Sequence, residues 1–440
     1  MKIIGLFGLV VLATIVLGDK KTYDGHKLYK IIPKDDQEVK LLEAVQRTRL
    51  GEFWNEHFVA NNDVRVMVPE DKQEEFHAYL KKHDIESREL ISDVQKAIND
   101  QLKRTPIRSS ESFHGMTWTQ YHNLEEINNW LDELALNYPN IVRTVDMGAS
   151  VENRLIRGIV IDYNPDRENK LIGVLEGTLH AREWISPATV TWIVKEFLTS
   201  TDPAVRSMAE SFEWHIFPVV NPDGYIYTFT THRMWRKNRS LRSFKSCAAV
   251  GSDDDMSRGV DLNRNFDFEW MTVGASNDSC TNTYAGPTAF SEPETRAIAN
   301  YVSALNGQGK LIYYISFHSY TQLFVVPYSH ISTESALLSG NYGDMYEIAI
   351  RAAEALKKRY GTEYRVGLSA DVLYPMSGSS FDWVKFATNI PVTYLIELRD
   401  LGEYGFLLPP EQIIPNNLEI MDAMIEMDRT TRSLGYYSSS

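Results

Sequence analysis

The sequence predicts an α/β fold, with helices on both faces of its strands, preceded by a small α+β unit. Three observations carry this reading. From about Ser109 onward apolar strands alternate with helical segments, without internal repeats or low-complexity tracts. The candidate strands are mostly apolar, as strands are when both faces are covered. Residues 27–102 read instead as strand, helix, strand, helix, strand, helix in short steps.

Met1 and Lys2 open onto an apolar run, 3–17, with Gly18 before Asp19. About 15 apolar residues fall short of the roughly 20 that a membrane span needs, so 1–18 reads as a signal peptide. The α+β unit then begins with a strand at 27–32 and a helix at 35–47, whose Leu41, Leu42 and Val45 share one face. A strand at 64–68 and a helix at 70–83, with Phe76, Tyr79 and Leu80 inward, follow, then a strand at 85–91 and a helix at 94–102. Residues 103–110 are basic and poor in apolar side chains, the character of an exposed junction open to proteases. They are either a plain linker or an activation site cut after Arg104 or Arg108. Beyond them the strands fall at 171–175, 214–220, 311–317 and 391–396. A helix is expected behind Ser186 as N-cap and Pro187 at its first position, with Val190, Ile193, Val194 and Phe197 at helical spacing. Another should open at Ser291-Glu292-Pro293-Glu294, a capping-box pattern.

At 440 residues the chain holds two or three compact units. With 43% hydrophobic and 24% charged residues it is expected to fold throughout as a soluble protein. Lys and Arg number 45 against 59 Asp and Glu, a net charge of -14 that disfavours nucleic acid and anionic membrane as partners. A small neutral ligand or a peptide fits better. In an exported chain the two cysteines, Cys247 and Cys280, are expected to pair, the alternative being two separate buried thiols.

Ligands of open α/β sheets bind beyond the carboxyl ends of the strands. The strand at 171–175 leads into His180-Ala181-Arg182-Glu183, that at 311–317 into His318-Ser319-Tyr320, and that at 391–396 into Glu397-Leu398-Arg399-Asp400. His180, Glu183 and His318 can supply a His2Glu set that leaves a fourth position for water, as a catalytic zinc requires. An H-x-x-E pair by itself is a weak signal. The remaining histidines, His114, His122, His215, His232 and His330 among them, read as structural or surface residues, and no G-x-S-x-G serine-hydrolase elbow occurs.

The company those residues keep resembles the secreted zinc metallocarboxypeptidases of the carboxypeptidase A and B family. The likeness rests on His180-Ala181-Arg182-Glu183-Trp184-Ile185-Ser186, Asn221-Pro222-Asp223-Gly224-Tyr225, Trp235-Arg236-Lys237 and Val260-Asp261-Leu262-Asn263-Arg264-Asn265. It continues through His318-Ser319-Tyr320, Tyr374, Glu397-Leu398-Arg399-Asp400 and Tyr404-Gly405-Phe406, in order and at similar spacing over nearly the whole chain. The resemblance implies a mixed, largely parallel central sheet flanked by helices at 109–440 and an inhibitory activation propeptide of antiparallel α+β form at 19–108. It implies one Zn2+ on His180, Glu183 and His318, Asp261 orienting His180, Glu397 as general base and Arg236 stabilising the oxyanion. Arg264, Asn263 and Tyr374 would hold the substrate's terminal carboxylate, while Arg182, Tyr320 and Phe406 would line the upstream sites.

Phe381 stands where the family carries the base of its side-chain pocket. An apolar base leaves a basic side chain unpaired and implies release of aliphatic or aromatic residues. Met376 and Leu395 stand at bulky wall positions that make the pocket shallower, and Asp382 would restore a basic preference only if its carboxylate pointed inward. Two departures from the family are an insertion at 248–258 with an acidic run from Asp253, and Thr178 where a glycine is usual. Asn238-Arg239-Ser240 and Asn277-Asp278-Ser279 are glycosylation sequons. The reading that results is a secreted, extracellular, monomeric exopeptidase zymogen acting on peptide or protein C-termini, activated by a trypsin-like protease, with digestion its expected setting. A noncatalytic peptide-binding homologue and a basic-residue processing enzyme are the alternatives.

Overall fold

A computed structural model describes residues 20–104, 112–241, 247, 254–336 and 340–438. The segment expected to be a signal peptide, Arg108 and positions 248–253 of the expected insertion lie outside the described residues. No helix among those described is long and apolar enough to cross a membrane.

The described residues form two sheets. In the first, β1 (Lys27–Ile31), β2 (Glu52–Phe53), β3 (Val64–Val68) and β4 (Ser87–Ile91) take the order β2-β3-β1-β4, each bonded pair antiparallel. The helix Asp36–Thr48, capped by Asp35, and the helix Gln73–Lys82 bury Leu42, Val45, Phe76 and Leu80 against it. The second sheet has eight strands: β5 (Val142–Ala149), β6 (Leu155–Asp162), β7 (Leu171–Gly177), β8 (Phe212–Phe217), β9 (Lys310–Ser319), β10 (Leu323–Val326), β11 (Arg365–Leu368) and β12 (Val392–Leu398). Their order is β11-β10-β12-β9-β7-β8-β6-β5. The central strands β12, β9, β7 and β8 run parallel, and antiparallel pairs flank them, so the sheet is mixed as expected. Alternate residues serve two cores. Leu175, Ile315 and Ile396 join one apolar cluster, Val174, Tyr314 and Leu395 another, which is why these strands carry few polar residues.

The expected strand ends move. β9 and β12 continue two residues past their apolar runs, so His318 and Glu397 sit on paired strands, directly opposite in register, rather than in loops. Neither expected cap forms. The helix Ile185–Thr199 starts behind Trp184, and the Ser186 hydroxyl instead donates to the Phe317 carbonyl and accepts the Thr178 amide. The helix Pro293–Asn306 has Glu292 as its N-cap without a side-chain bond, because Glu294 is drawn inward to the Val151 amide and Asn238. A capping box does form at Asn123 and Glu126, ahead of the helix Leu124–Asn137.

Cys247 and Cys280 are bonded, with Cα atoms 5.6 Å apart. The Asn238 sequon is closed to a glycan in the folded chain: Asn238 is fully buried and its amide donates to Glu292 and Glu294, whereas Asn277 is exposed.

Burial pushes the Glu294 carboxyl up to about 7. The folded chain therefore holds this proton over a pH range in which the unfolded chain has lost it, and stability falls as pH rises from the ordinary glutamate value to about 7. That loss is on the order of 3 kcal/mol. The urea midpoint should fall between pH 5 and 7.5, and Glu294→Gln should flatten the dependence; an equal slope in both proteins would contradict the assignment.

Candidate active site

The site forms where β7, β9 and β12 end. After Gly177 the chain must turn sharply for His180 and Glu183 to face β9, and Thr178 takes a left-handed φ of 62°. That conformation costs a β-branched residue about 1–3 kcal/mol. Two hydrogen bonds offset it, from the Thr178 amide to Ser186 Oγ at 2.9 Å and from the Thr178 hydroxyl to the Pro218 carbonyl at 2.9 Å. The glycine-to-threonine departure thus leaves the turn in place.

His180, Glu183 and His318 converge as their spacing suggests. His180 Nδ1 lies 2.7 Å from Glu183 Oε1, and His318 Nδ1 lies 3.0 Å from both Glu183 Oε2 and His180 Nδ1. All three side chains are buried. Tetrahedral zinc ligands at about 2.0–2.1 Å from the metal stand roughly 3.3 Å apart. Two imidazole nitrogens and a carboxylate aimed at one point fit such a cation. Asp261 fixes the set from behind: its Oδ1 faces His180 Nε2 at 3.1 Å and accepts the Asn263 amide, while its Oδ2 accepts Arg236 Nε and Nη2 at 3.1 and 3.0 Å. Burial opposes the Asp261 charge, but Arg236 and then His180 hold its carboxyl well below the usual carboxylate range.

Glu397 projects beside His318 into the same cavity, and its Oε2 is buried without a hydrogen-bond partner. Burial, and next the Glu183 charge, push its carboxyl up. Arg264 lies across from it with Nε on the Gly274 carbonyl (2.9 Å), Nη1 on the Asn263 carbonyl (2.8 Å) and Nη2 on the Tyr374 hydroxyl (3.1 Å). Asn263 is held through its Oδ1 by the Ser380 amide.

Met376 and Leu395 line the cavity, and Phe381, expected at the base of the side-chain pocket, is fully buried in the same apolar cluster. Asp382 points away, its Oδ2 accepting the Ser329 amide at 3.0 Å.

Sequence reasoning misses the contribution of the N-terminal unit to the site. The Glu56 carboxylate lies 2.6 Å from Arg182 Nη2 and 3.3 Å from Arg236 Nη1, and Arg182 Nη2 also donates to the Trp54 carbonyl. The Trp54 ring packs on Phe406, which in turn meets Tyr320 and the Arg182 guanidinium. The His57 ring sits over Tyr374 at 4.5 Å. A cavity of about 350 Å³ remains between these residues and the buried His180 and Glu183. Nothing in the 54–63 stretch marks these residues as site-directed, because only the docking of the two units brings them there.

Residues 127–423 match the family model described as zinc carboxypeptidase, and residues 29–101 match that of the carboxypeptidase activation peptide. A zinc carboxypeptidase A 1 of Anopheles gambiae is 38% identical, over 98% of this chain and 95% of the relative. A carboxypeptidase B of Astacus astacus is 39% identical, over 70% of this chain and 96% of the relative. The crystal structure of thrombin activatable fibrinolysis inhibitor superposes with a TM-score of 0.83 at 30% identity, covering 93% of this chain and 99% of that one.

Zinc content tests the ligand set directly. The dialysed wild-type chain should hold one zinc by elemental analysis, and Glu183→Gln should bind it more weakly by over about 100-fold, since even residues behind the ligands cost 10–100-fold. Full zinc retention by a folded Glu183→Gln chain would remove Glu183 from the set.

Proposed function

Because the chain belongs to the zinc carboxypeptidases and carries their activation peptide ahead of the catalytic part, we propose that it is an exported zymogen. Once cut, it releases single apolar residues from peptide C-termini. The observation that carries this reading is the shared cavity: Arg264, Asn263 and Tyr374, a group that suits a free carboxylate, line the same space as His180, Glu183 and Glu397. A carboxylate held there puts the last peptide bond within reach and no other, which is exopeptidase selectivity.

Bound zinc supplies Lewis acidity toward a water and the scissile carbonyl. Glu397, poised by burial to take up a proton, removes one from the attacking water and passes it to the leaving amine. Arg236, oriented by Asp261, faces the developing oxyanion. The planar Arg264 guanidinium pairs with the terminal carboxylate, with Asn263 and the Tyr374 hydroxyl beside it. Arg182, whose Nε and Nη1 are buried without partners, and Tyr320 and Phe406 receive the residues upstream. Glu56 blocks that route before activation by occupying Arg182 and Arg236 together.

Met376 and Leu395 present an apolar, shallow floor to the released side chain, with Phe381 buried in the same apolar cluster. The orientation of Asp382 away from this floor favours apolar over basic residues. Of the two cut sites, Arg104 is tied to the Tyr121 carbonyl and Glu126, and Arg108 lies outside the described residues.

The test is the trypsin-treated chain acting on matched peptides ending in Leu, Phe, Trp, Lys or Arg. Release of Leu should exceed that of Trp, Lys or Arg, be absent before trypsin and stop with a zinc chelator. Glu397→Gln should lower kcat by about 100-fold to 10,000-fold with zinc retained. Release mainly of Lys or Arg would sink the apolar reading, and no release from a cleaved, zinc-loaded chain would favour a peptide-binding homologue.

The floor gives a second expectation: Met376→Ala should raise the Trp-to-Leu ratio of kcat/KM roughly tenfold, whereas an unchanged ratio would show that Met376 does not bound the pocket.

A further inference from the structure

The turn that follows β12 is shaped by one carboxylate. Asp400 Oδ1 accepts the amides of Gly402 at 2.8 Å and Gly405 at 2.9 Å, and its Oδ2 accepts that of Tyr404 at 2.8 Å. These charge-assisted bonds set the turn, and the carbonyls of Leu401 and Gly402 converge on one point.

What they meet there is a cation. The guanidinium of Arg65, on β3 of the N-terminal unit, donates Nε to the Gly402 carbonyl at 2.8 Å and Nη2 to the Leu401 carbonyl at 2.9 Å. Arg65 is 1% exposed. Gly402 is required twice over: its φ is +91°, and a Cβ would stand 2.7 Å from Arg65 Nη2. Asp63, 3.0 Å from Arg65 Nη2, balances the charge from within the N-terminal unit, and Arg88 of the same unit pairs with Glu403 on the turn.

Activation removes Arg65, Asp63 and Arg88 together. The turn then keeps two converging carbonyls and the exposed Glu403, set in place by Asp400. Leu401 and Phe406 both line the active-site cavity, so this acceptor group lies beside the route of the peptide upstream of the bond to be cut.

We infer that the turn is an upstream subsite for a cationic side chain of the substrate, with the Leu401 and Gly402 carbonyls and Glu403 as its acceptors. The inference rests on the exopeptidase reading above and adds a selectivity remote from the released residue. Arginine suits it better than lysine, because two adjacent nitrogens of one planar group match two carbonyls. In the zymogen Arg65 provides the same chemistry from within the chain, so prosegment and substrate compete for a single turn.

The experiment uses the full chain cleaved by trypsin, with the trypsin then inhibited, and hexapeptides ending in Leu. Each upstream position in turn carries Arg, norleucine or Glu. At one position Arg should lower KM roughly tenfold relative to norleucine with kcat unchanged, the range of a charge-assisted contact, and Glu should raise it. Gly402→Ala and Glu403→Lys should each bring the Arg-to-norleucine ratio of kcat/KM toward one. Leu release at equal kcat/KM from all three series overturns the subsite and leaves the exopeptidase reading standing. An Arg preference that survives in both variants overturns its assignment to this turn, and no Leu release from any peptide overturns both readings.

Discussion

Asp261 carries its charge in a place where water cannot reach it, and most of the site is arranged to keep it there. Its two oxygens are shared among a ring nitrogen of His180, the Arg236 guanidinium and the Asn263 amide. A buried carboxylate is tolerated only when opposite charge and hydrogen bonds surround it. Here the surrounding groups are a member of the His-Glu-His set, the arginine proposed to face the oxyanion and the start of the segment bearing Asn263 and Arg264. Satisfying one charge therefore fixes the relative positions of three groups drawn from distant parts of the chain.

The sheet supplies the rest of the geometry. Parallel strands β7, β9 and β12 end at one edge, so residues far apart in sequence arrive side by side without long loops. The pairing of His318 with Glu397 places a member of the metal set and the proposed base on adjacent strands, held by the backbone ladder rather than by loop packing. The N-terminal unit exploits the same concentration of cationic groups. A site proposed to hold carboxylates and oxyanions is rich in arginine, and one glutamate, Glu56, engages two of those arginines at once.

Much of this arrangement is legible in the order of the amino acids. The ordered motifs around His180, Arg236, Arg264, His318 and Glu397 mark the chemistry, because metal and carboxylate binding demand particular residue types. The apolar runs mark the central strands, because burial on both faces leaves little choice of side chain. The helix caps mislead because Ser186 and Glu294 have the right spacing for local hydrogen bonds, but buried amides and carbonyls from elsewhere in the fold claim them first. The outer strands β5, β6, β10 and β11 do not stand out from the pattern, their runs being shorter or more polar than those of the sheet centre.

Residue type and periodicity along the chain are enough to set the class of chemistry and the fold that carries it. Packing sets how far each of the expected pocket residues is exposed, where Met376 and Leu395 line the cavity and Phe381 is fully buried. It also sets which prosegment residues reach the site, where Glu56, His57 and Arg65 meet Arg236, Tyr374 and the turn after β12. The difference lies in what each property depends on. A metal ligand is recognisable from its own chemistry, but a lid is defined by contact between segments far apart in the chain, and no local pattern encodes which segment comes to cover which.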